Sequence, residues 1–321
     1  MSESKTSAGK ANLEVFAETL SELARADRSV LAVCSDSRGS GKLSPFGKAL
    51  PAQLVEVGIA EQNMVGIAAG LASCGKKVFA VSPACFLTAR ALEQIKNDVA
   101  YSDQPVKLVG ISAGVSYGAL GATHHSIHDF AALRAIHNIT VVAPADNYET
   151  RCSVRAAAQA AHPVYLRFGK RAMPDLHAEG TPFEFGKAIV LRRGGDVTFV
   201  ATGEAVCHAV AAADVLAGTR VSAGVISMHT VKPLDADALL EAASSCRAVI
   251  TVEEHSVCGG LGEACAAVLM AGGCKVAFEI VGFPDEYMVT GSQLDIFTHY
   301  GISAAGLAVR AENLLARRPG K

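Results

Sequence analysis

The chain has 321 residues, half of them hydrophobic and 19% charged, and its 29 Lys and Arg against 31 Asp and Glu give a formal net charge of −2. At roughly 150 residues per domain, this length suits two compact domains, each able to bury its own core. The charge balance predicts no nucleic acid and no anionic membrane as partner, and no apolar run approaches the ~18 residues of a membrane span, so small molecules and proteins remain. Nine cysteines without a C-x-x-C pair suit reduced thiols in a cytoplasm better than a disulfide framework or a zinc knuckle.

The opening "MSESKTSAGK" is polar and lacks the hydrophobic segment of a secretory signal, so residues 1–11 read as a disordered lead-in. From Asn12, "LEVFAETLSELARAD" has helical periodicity, and "SVLAVCSD" follows as a strand. The alternation continues with strand "AQLVEVG", helix "AEQNMVGIAAGLASCG" stopped by Gly75, strand "KKVFAVS", helix "TARALEQIKNDVAYS" and strand "PVKLVGIS". Strand "ITVVAPA" leads into a helix beginning near Asp146, and "HPVYLRFGK" closes a first unit over residues 12–170. The Pro- and Gly-containing stretch 171–185 reads as a linker, and residues 186–321 repeat the alternation from "DVTFVATG" to C-terminal helices. The expected fold class is α/β, with two doubly wound, mostly parallel-sheet domains, the second smaller.

One residue breaks the pattern. Glu61 heads the run "MVGIAAGLASCG", and on a helix it shares a face with Met64, Val65 and Ala68. Gly66, Ala69, Gly70 and Ser73 form a second, small-residue side, so neither side looks made for water. Two readings stay open from position alone: a first-turn carboxylate complementing the helix dipole, or a desolvated acid whose raised pKa lets it share a proton with a ligand.

"VGIAEQNMVGIAAGLA", "GALGATHHSIHDFAALR" and "VVAPAD", in that order, resemble the pyrimidine-binding domain of the transketolase family of thiamine diphosphate enzymes, followed by that family's C-terminal domain. The resemblance implies that Glu61 hydrogen-bonds N1′ of the cofactor's aminopyrimidine. A carboxyl sharing its proton there favours the imino tautomer, whose 4′-nitrogen can deprotonate the thiazolium. The family's G-x-T-H pattern falls on Gly121, Thr123 and His124, making His124 the implied donor to substrate oxygens, while His125 and His128 read as structural. The segment lacks the spacing of a tetrahedral metal site, and no metal ligand is expected in this chain. Phe86 matches an aromatic packed on the pyrimidine, although Ala89 and Leu92 stand where further rings are usual. Arg167 resembles an arginine holding the substrate's distal phosphate, and Ser40, with Arg38, falls in a substrate-contact loop.

Two departures bear on the substrate. Leu120 replaces an Asp that reads a sugar hydroxyl, and Ser112 replaces a phosphate-side histidine, so preference for the usual pentose phosphates is in doubt. "CGGLGE" carries Gly260 and Gly262 at a strand-to-helix turn, which reads as tight packing rather than a phosphate cradle.

The family's diphosphate-binding segment, marked by "GDG", is missing; the only "GD" is Gly195 and Asp196 before a C-terminal-domain strand. The chain is therefore expected to be half an enzyme. A separate N-terminal subunit would bind the diphosphate and its Mg²⁺ or Ca²⁺, and self-association of this chain would form the homodimeric core of an α2β2 assembly acting on a sugar or sugar phosphate. The alternatives are a subunit that decarboxylates a 2-oxo acid, as in deoxyxylulose-phosphate synthases or 2-oxo acid dehydrogenases, and a non-catalytic assembly module. The THH turn, with no decarboxylase-type arginine after it, favours ketol transfer.

Overall fold

A computed structural model describes residues 8–317. The expected alternation holds in outline. In the first unit β1 (Ala8–Ala11) and α1 (Asn12–Ala26) precede β2 (Val30–Cys34), α2 (Ser44–Ala49), β3 (Leu54–Glu56), α3 (Glu61–Ser73), β4 (Lys77–Pro83) and α4 (Ala84–Arg90). A short α5 (Leu92–Gln94) then runs into a π-helical segment, Ile95–Tyr101. β5 (Lys107–Ile111), α6 (Asp129–Ala135), β6 (Thr140–Val142), α7 (Asn147–Gln159), β7 (Val164–Phe168) and β8 (Ala172–Pro174) complete it.

The second unit contains β9 (Ile189–Arg192), β10 (Val197–Ala201), α8 (Val206–Ala217), β11 (Ala223–Ser227), β12 (Thr230–Lys232) and α9 (Ala236–Ser245). It ends with β13 (Ala248–Ser256), α10 (Leu261–Ala271), β14 (Ala277–Phe283), α11 (Gln293–His299) and α12 (Ala304–Ala316).

The larger sheet has the order β12-β6-β7-β5-β4-β2-β3 and the smaller β14-β13-β10-β11-β9; β12 and β9 are antiparallel edge strands on otherwise parallel sheets. Strands such as β2, β5 and β7 are buried along their whole length, which is why they read as continuous apolar runs rather than alternating ones. Helices cover both faces. On one side Phe16 of α1 stacks on Phe168 of β7 at 5.1 Å between ring centroids, and on the other the α3 face of Met64, Val65, Ala68 and Ala72 packs on the sheet.

Four features depart from the sequence expectation. Residues 1–7 of the expected lead-in lie outside the described residues, but Ala8–Ala11 form β1, paired antiparallel with β8 inside the expected linker. The linker itself is anchored: Asp146 accepts from the Leu176 and His177 amides at 2.8 and 2.9 Å, and its other oxygen caps α7 through the Glu149 amide. α6 falls where no helix was expected. Finally, β12 belongs by sequence to the second unit yet pairs with β6 of the first sheet, so the two units are tied by backbone hydrogen bonds.

Candidate active site

Five segments that leave carboxyl ends of the larger sheet converge on one edge, the place where open α/β sheets take ligands. The turn after β3 leads into α3 and delivers Glu61. β4 passes directly into α4, which carries Phe86 and Arg90, and the long loop after β5 carries Tyr117 and His124. Lys170 stands two residues beyond β7. The loop after β2 carries Arg38 and Ser40.

Six of these side chains, Glu61, Arg90, Phe86, His124, Tyr117 and Lys170, form a row of successive contacts. Glu61, with a side chain only 2% exposed, accepts at Oε2 from Arg90 Nη1 at 2.6 Å. The guanidinium carbon of Arg90 stands 5.1 Å from the centroid of the Phe86 ring. Phe86 meets the His124 ring edge-to-face at 5.3 Å, and His124 meets Tyr117 in the same way at 5.4 Å. Lys170 Nζ closes the row 4.6 Å from the Tyr117 centroid. His124 Nδ1 pairs with Thr123 Oγ1 at 3.0 Å, which leaves Nε2 for another partner. Burial raises the pKa of the Tyr117 phenol and pushes the Cys85 thiol beside Phe86 up to about 11, so neither ionises near neutrality.

The loop bearing His124 is held from below by the second domain. The Val115 amide donates to Glu254 Oε1 at 2.9 Å, the Ser256 amide donates to the Ile127 carbonyl at 2.9 Å, and His255 stacks on Phe130 at 5.0 Å. Gly114 has φ +60° and a Cβ there would collide with the Glu254 carboxyl, so the close approach requires glycine. His125 Nε2 pairs with the Gly118 carbonyl at 2.9 Å, and His128 Nε2 lies 3.3 Å from Thr88 Oγ1. Among the described residues no cluster of three or more His, Cys, Asp or Glu could hold a metal ion.

Arg167 needs a correction. Its side chain is 5% exposed; Nε donates to Asp129 at 2.8 Å, and Nη2 donates to the Glu254 and Ser126 carbonyls at 2.8 and 3.2 Å. The guanidinium also lies over Phe130, 4.7 Å from the ring centroid. A central strand buried on both faces forces any charge it carries to find partners in the core, so Arg167 is held as an internal strut, with Nη1 3.6 Å from Glu254 Oε2. The sequence reading missed an exposed cation at this edge, Lys170, three residues further on. Ser40 is exposed, its Oγ 3.1 Å from the Ser37 carbonyl, and no hydrogen bond among the described residues joins it to the row. Arg38 pairs with Glu56 at 3.7 Å on the outside of the same loop.

The glycine turn of the second domain is occupied from within. Glu253 accepts from the Leu261 and Gly262 amides at 2.6 and 2.8 Å, and a Cβ on Gly260 would strike that carboxylate. An anion site at the start of α10 is thus filled by the chain's own acid.

Family models match both units: the transketolase pyrimidine-binding domain over residues 9–175 and the transketolase C-terminal domain over residues 186–307. The chain belongs to the transketolase family, whose members use thiamine diphosphate, and carries the two domains of a split transketolase's C-terminal subunit. It is similar to an apulose-4-phosphate transketolase subunit of Phocaeicola vulgatus, 48% identical over 298 residues that span 92% of this chain and 95% of that one. It is also similar to a 6-deoxy-6-sulfo-D-fructose transketolase subunit of Clostridium sp., 35% identical over 94% of that chain. Among solved structures, a split gene transketolase described as an inactive beta4 tetramer matches with a TM-score of 0.86 and 36% identity, over 96% of this chain and 98% of that chain.

The donor set fits the cofactor's aminopyrimidine. That ring needs a carboxyl toward N1′ and an aromatic face beside it, and Glu61 and Phe86 offer both. Arg90, a flat cation edged with N–H donors, already bridges the two.

Proposed function

We propose that this chain is the C-terminal subunit of a two-chain transketolase that moves a two-carbon ketol unit from a ketose phosphate to an aldehyde or aldose acceptor. A separate subunit would bind the diphosphate with Mg²⁺ or Ca²⁺, and paired copies of this chain would form the centre of an α2β2 assembly. The observation that carries this reading is the buried carboxyl of Glu61 at the head of α3, with the Phe86 ring one side chain away.

Thiamine diphosphate, when bound, supplies the nucleophilic thiazolium carbon and the electron sink for breaking the ketose C2–C3 bond. Glu61 holds the proton shared with N1′, and its burial strengthens that hydrogen bond by excluding competing water. Phe86 orients the ring. His124, its Nδ1 occupied by Thr123, offers Nε2 to the substrate oxygens where protons are gained and lost. Lys170, at the opposite end of the row from Glu61, meets the anionic far end of the substrate in place of Arg167.

For the substrate we infer a sugar phosphate of the kind named for the Phocaeicola vulgatus relative, apulose 4-phosphate. Leu120, 55% exposed, offers an apolar surface where an acid that reads a sugar hydroxyl was expected, which favours a ketose of unusual branching or configuration.

The test is reconstitution. This chain, a diphosphate-binding subunit and the pair are each assayed with apulose 4-phosphate and an aldose phosphate acceptor. Turnover by the pair alone is expected. A lone chain working at the pair's rate would defeat the two-chain reading, and a pair that consumes pyruvate but no ketose phosphate would replace ketol transfer with decarboxylation.

A further inference from the structure

The Arg90 guanidinium bridges the same two side chains that the proposed function assigns to the aminopyrimidine. One nitrogen donates to Glu61 at 2.6 Å, and the guanidinium carbon stands 5.1 Å from the Phe86 centroid. A guanidinium and an aminopyrimidine share what this pair selects: a flat π surface edged with N–H donors.

The two members of the ion pair are unequally held. Glu61 is locked in the first turn of α3 with its side chain 2% exposed, whereas Arg90 ends α4 with its side chain 46% exposed. Among the described residues, Arg90 has no hydrogen-bonded partner besides Glu61. The carboxylate is therefore the fixed member, and a change of Arg90 rotamer into solvent is enough to separate them.

A buried carboxylate without a partner is strongly unfavourable, so a chain awaiting its cofactor needs a counterion at Glu61. Arg90 fills Glu61 Oε2 and stands over the Phe86 ring, the two surfaces that the aminopyrimidine would need. We propose that Arg90 is a built-in occupant of the aminopyrimidine subsite. It caps Glu61 in the unloaded subunit and must leave when the cofactor enters. This inference rests on the proposed function, since it assumes that Glu61 and Phe86 receive the aminopyrimidine. Arg90 is here a competitor that sets affinity, and it takes no part in the reaction itself.

Calorimetry of thiamine diphosphate with Mg²⁺ on the reconstituted pair tests it, comparing the wild type with Arg90→Met, Arg90→Lys and Glu61→Gln. Removing the competitor raises the fraction of chains ready to bind, so Arg90→Met is expected to lower Kd roughly three- to tenfold, with Arg90→Lys in between. A stoichiometry equal to the wild type's reports that the variants are folded. An Arg90→Met Kd equal to or above that of the wild type overturns the proposal. Glu61→Gln separates the two ideas: wild-type cofactor affinity in that variant sinks the proposed function itself, and with it the role given to Arg90. Weakened affinity in Glu61→Gln beside an unchanged Arg90→Met removes only the occupant.

Discussion

Glu61 and Glu254 are equally buried, each 2% exposed, and they lie on the two sides of the His124 loop. Their partners differ. Glu254 accepts from the Val115 amide at 2.9 Å and from Gln293 Nε2 at 2.8 Å, with Arg167 Nη1 3.6 Å away, all of them fixed inside the domain interface. Among the described residues, the Glu61 side chain has one partner, the half-exposed Arg90. Burial of an acid is thus a poor marker of chemistry, because a core carboxylate saturated by immobile donors is part of the frame. An acid whose only partner can swing away is available to a ligand.

The largest effects should divide along this line. Glu61→Gln is expected to lower ketol transfer by the reconstituted pair roughly 100- to 10,000-fold, since an amide cannot exchange the proton at N1′. Its thermal midpoint should stay near that of the wild type, because the amide oxygen still accepts from Arg90. Arg167→Met should do the opposite. It strands Asp129 and Glu254 without their shared cation, and denaturant unfolding should show a loss of about 3–5 kcal/mol. A folded, inactive Arg167→Met of undiminished stability would return Arg167 to the substrate and erase the contrast.

Other buried acids also predict a pH dependence. Burial first, then the neighbouring Glu254 charge, pushes the Glu204 carboxyl up to about 8 from its ordinary 4.5. The native state then keeps a proton that the unfolded chain releases above 4.5, so stability from this group falls as pH rises from about 4.5 through about 8. Glu204→Gln, neutral throughout, should unfold at a higher urea midpoint than the wild type at pH 8, by on the order of 2 kcal/mol, with the gap closing toward pH 5. Glu149 and Glu253, both pushed up to about 7 by burial, leave some slope in the variant. A wild type and variant with parallel pH profiles would mean that Glu204 is ionised in its pocket.

What the sequence made legible follows from the range of the forces involved. Period-2 and period-3.6 patterns are local, so the strand and helix alternation and the buried face of α3 with Glu61 could be read directly. His124 and Phe86 could be singled out because the family resemblance falls on short motifs that contain them. The long-range pairings could not. Nothing near "VYLRFGK" announces Asp129, 38 residues earlier, as the partner of Arg167. The three residues of β12 carry too little pattern to reveal that they pair with β6, and the π-helical turns at Ile95–Tyr101 share the apolar spacing of an α-helix. Lys170 was passed over because its ring partner, Tyr117, lies on a different loop.

That missed lysine gives the smallest predicted effect and the finest version of the contrast between frame and site. Lys170 is exposed and stands at the outer end of the row, so Lys170→Gln should leave the unfolding midpoint within experimental scatter. If its ammonium meets the substrate's phosphate, the attraction acts on bound substrate and transition state alike, so KM should rise roughly three- to tenfold with kcat nearly unchanged. Because the site is open to solvent, salt should raise the wild-type KM and move the variant's much less. A dephosphorylated ketose separates charge from shape: its KM should be the same for both proteins. An equal rise in KM for the phosphorylated and dephosphorylated sugars would show that Lys170 acts through the tilt of Tyr117 and His124, which would make the outer end of the row part of the frame as well.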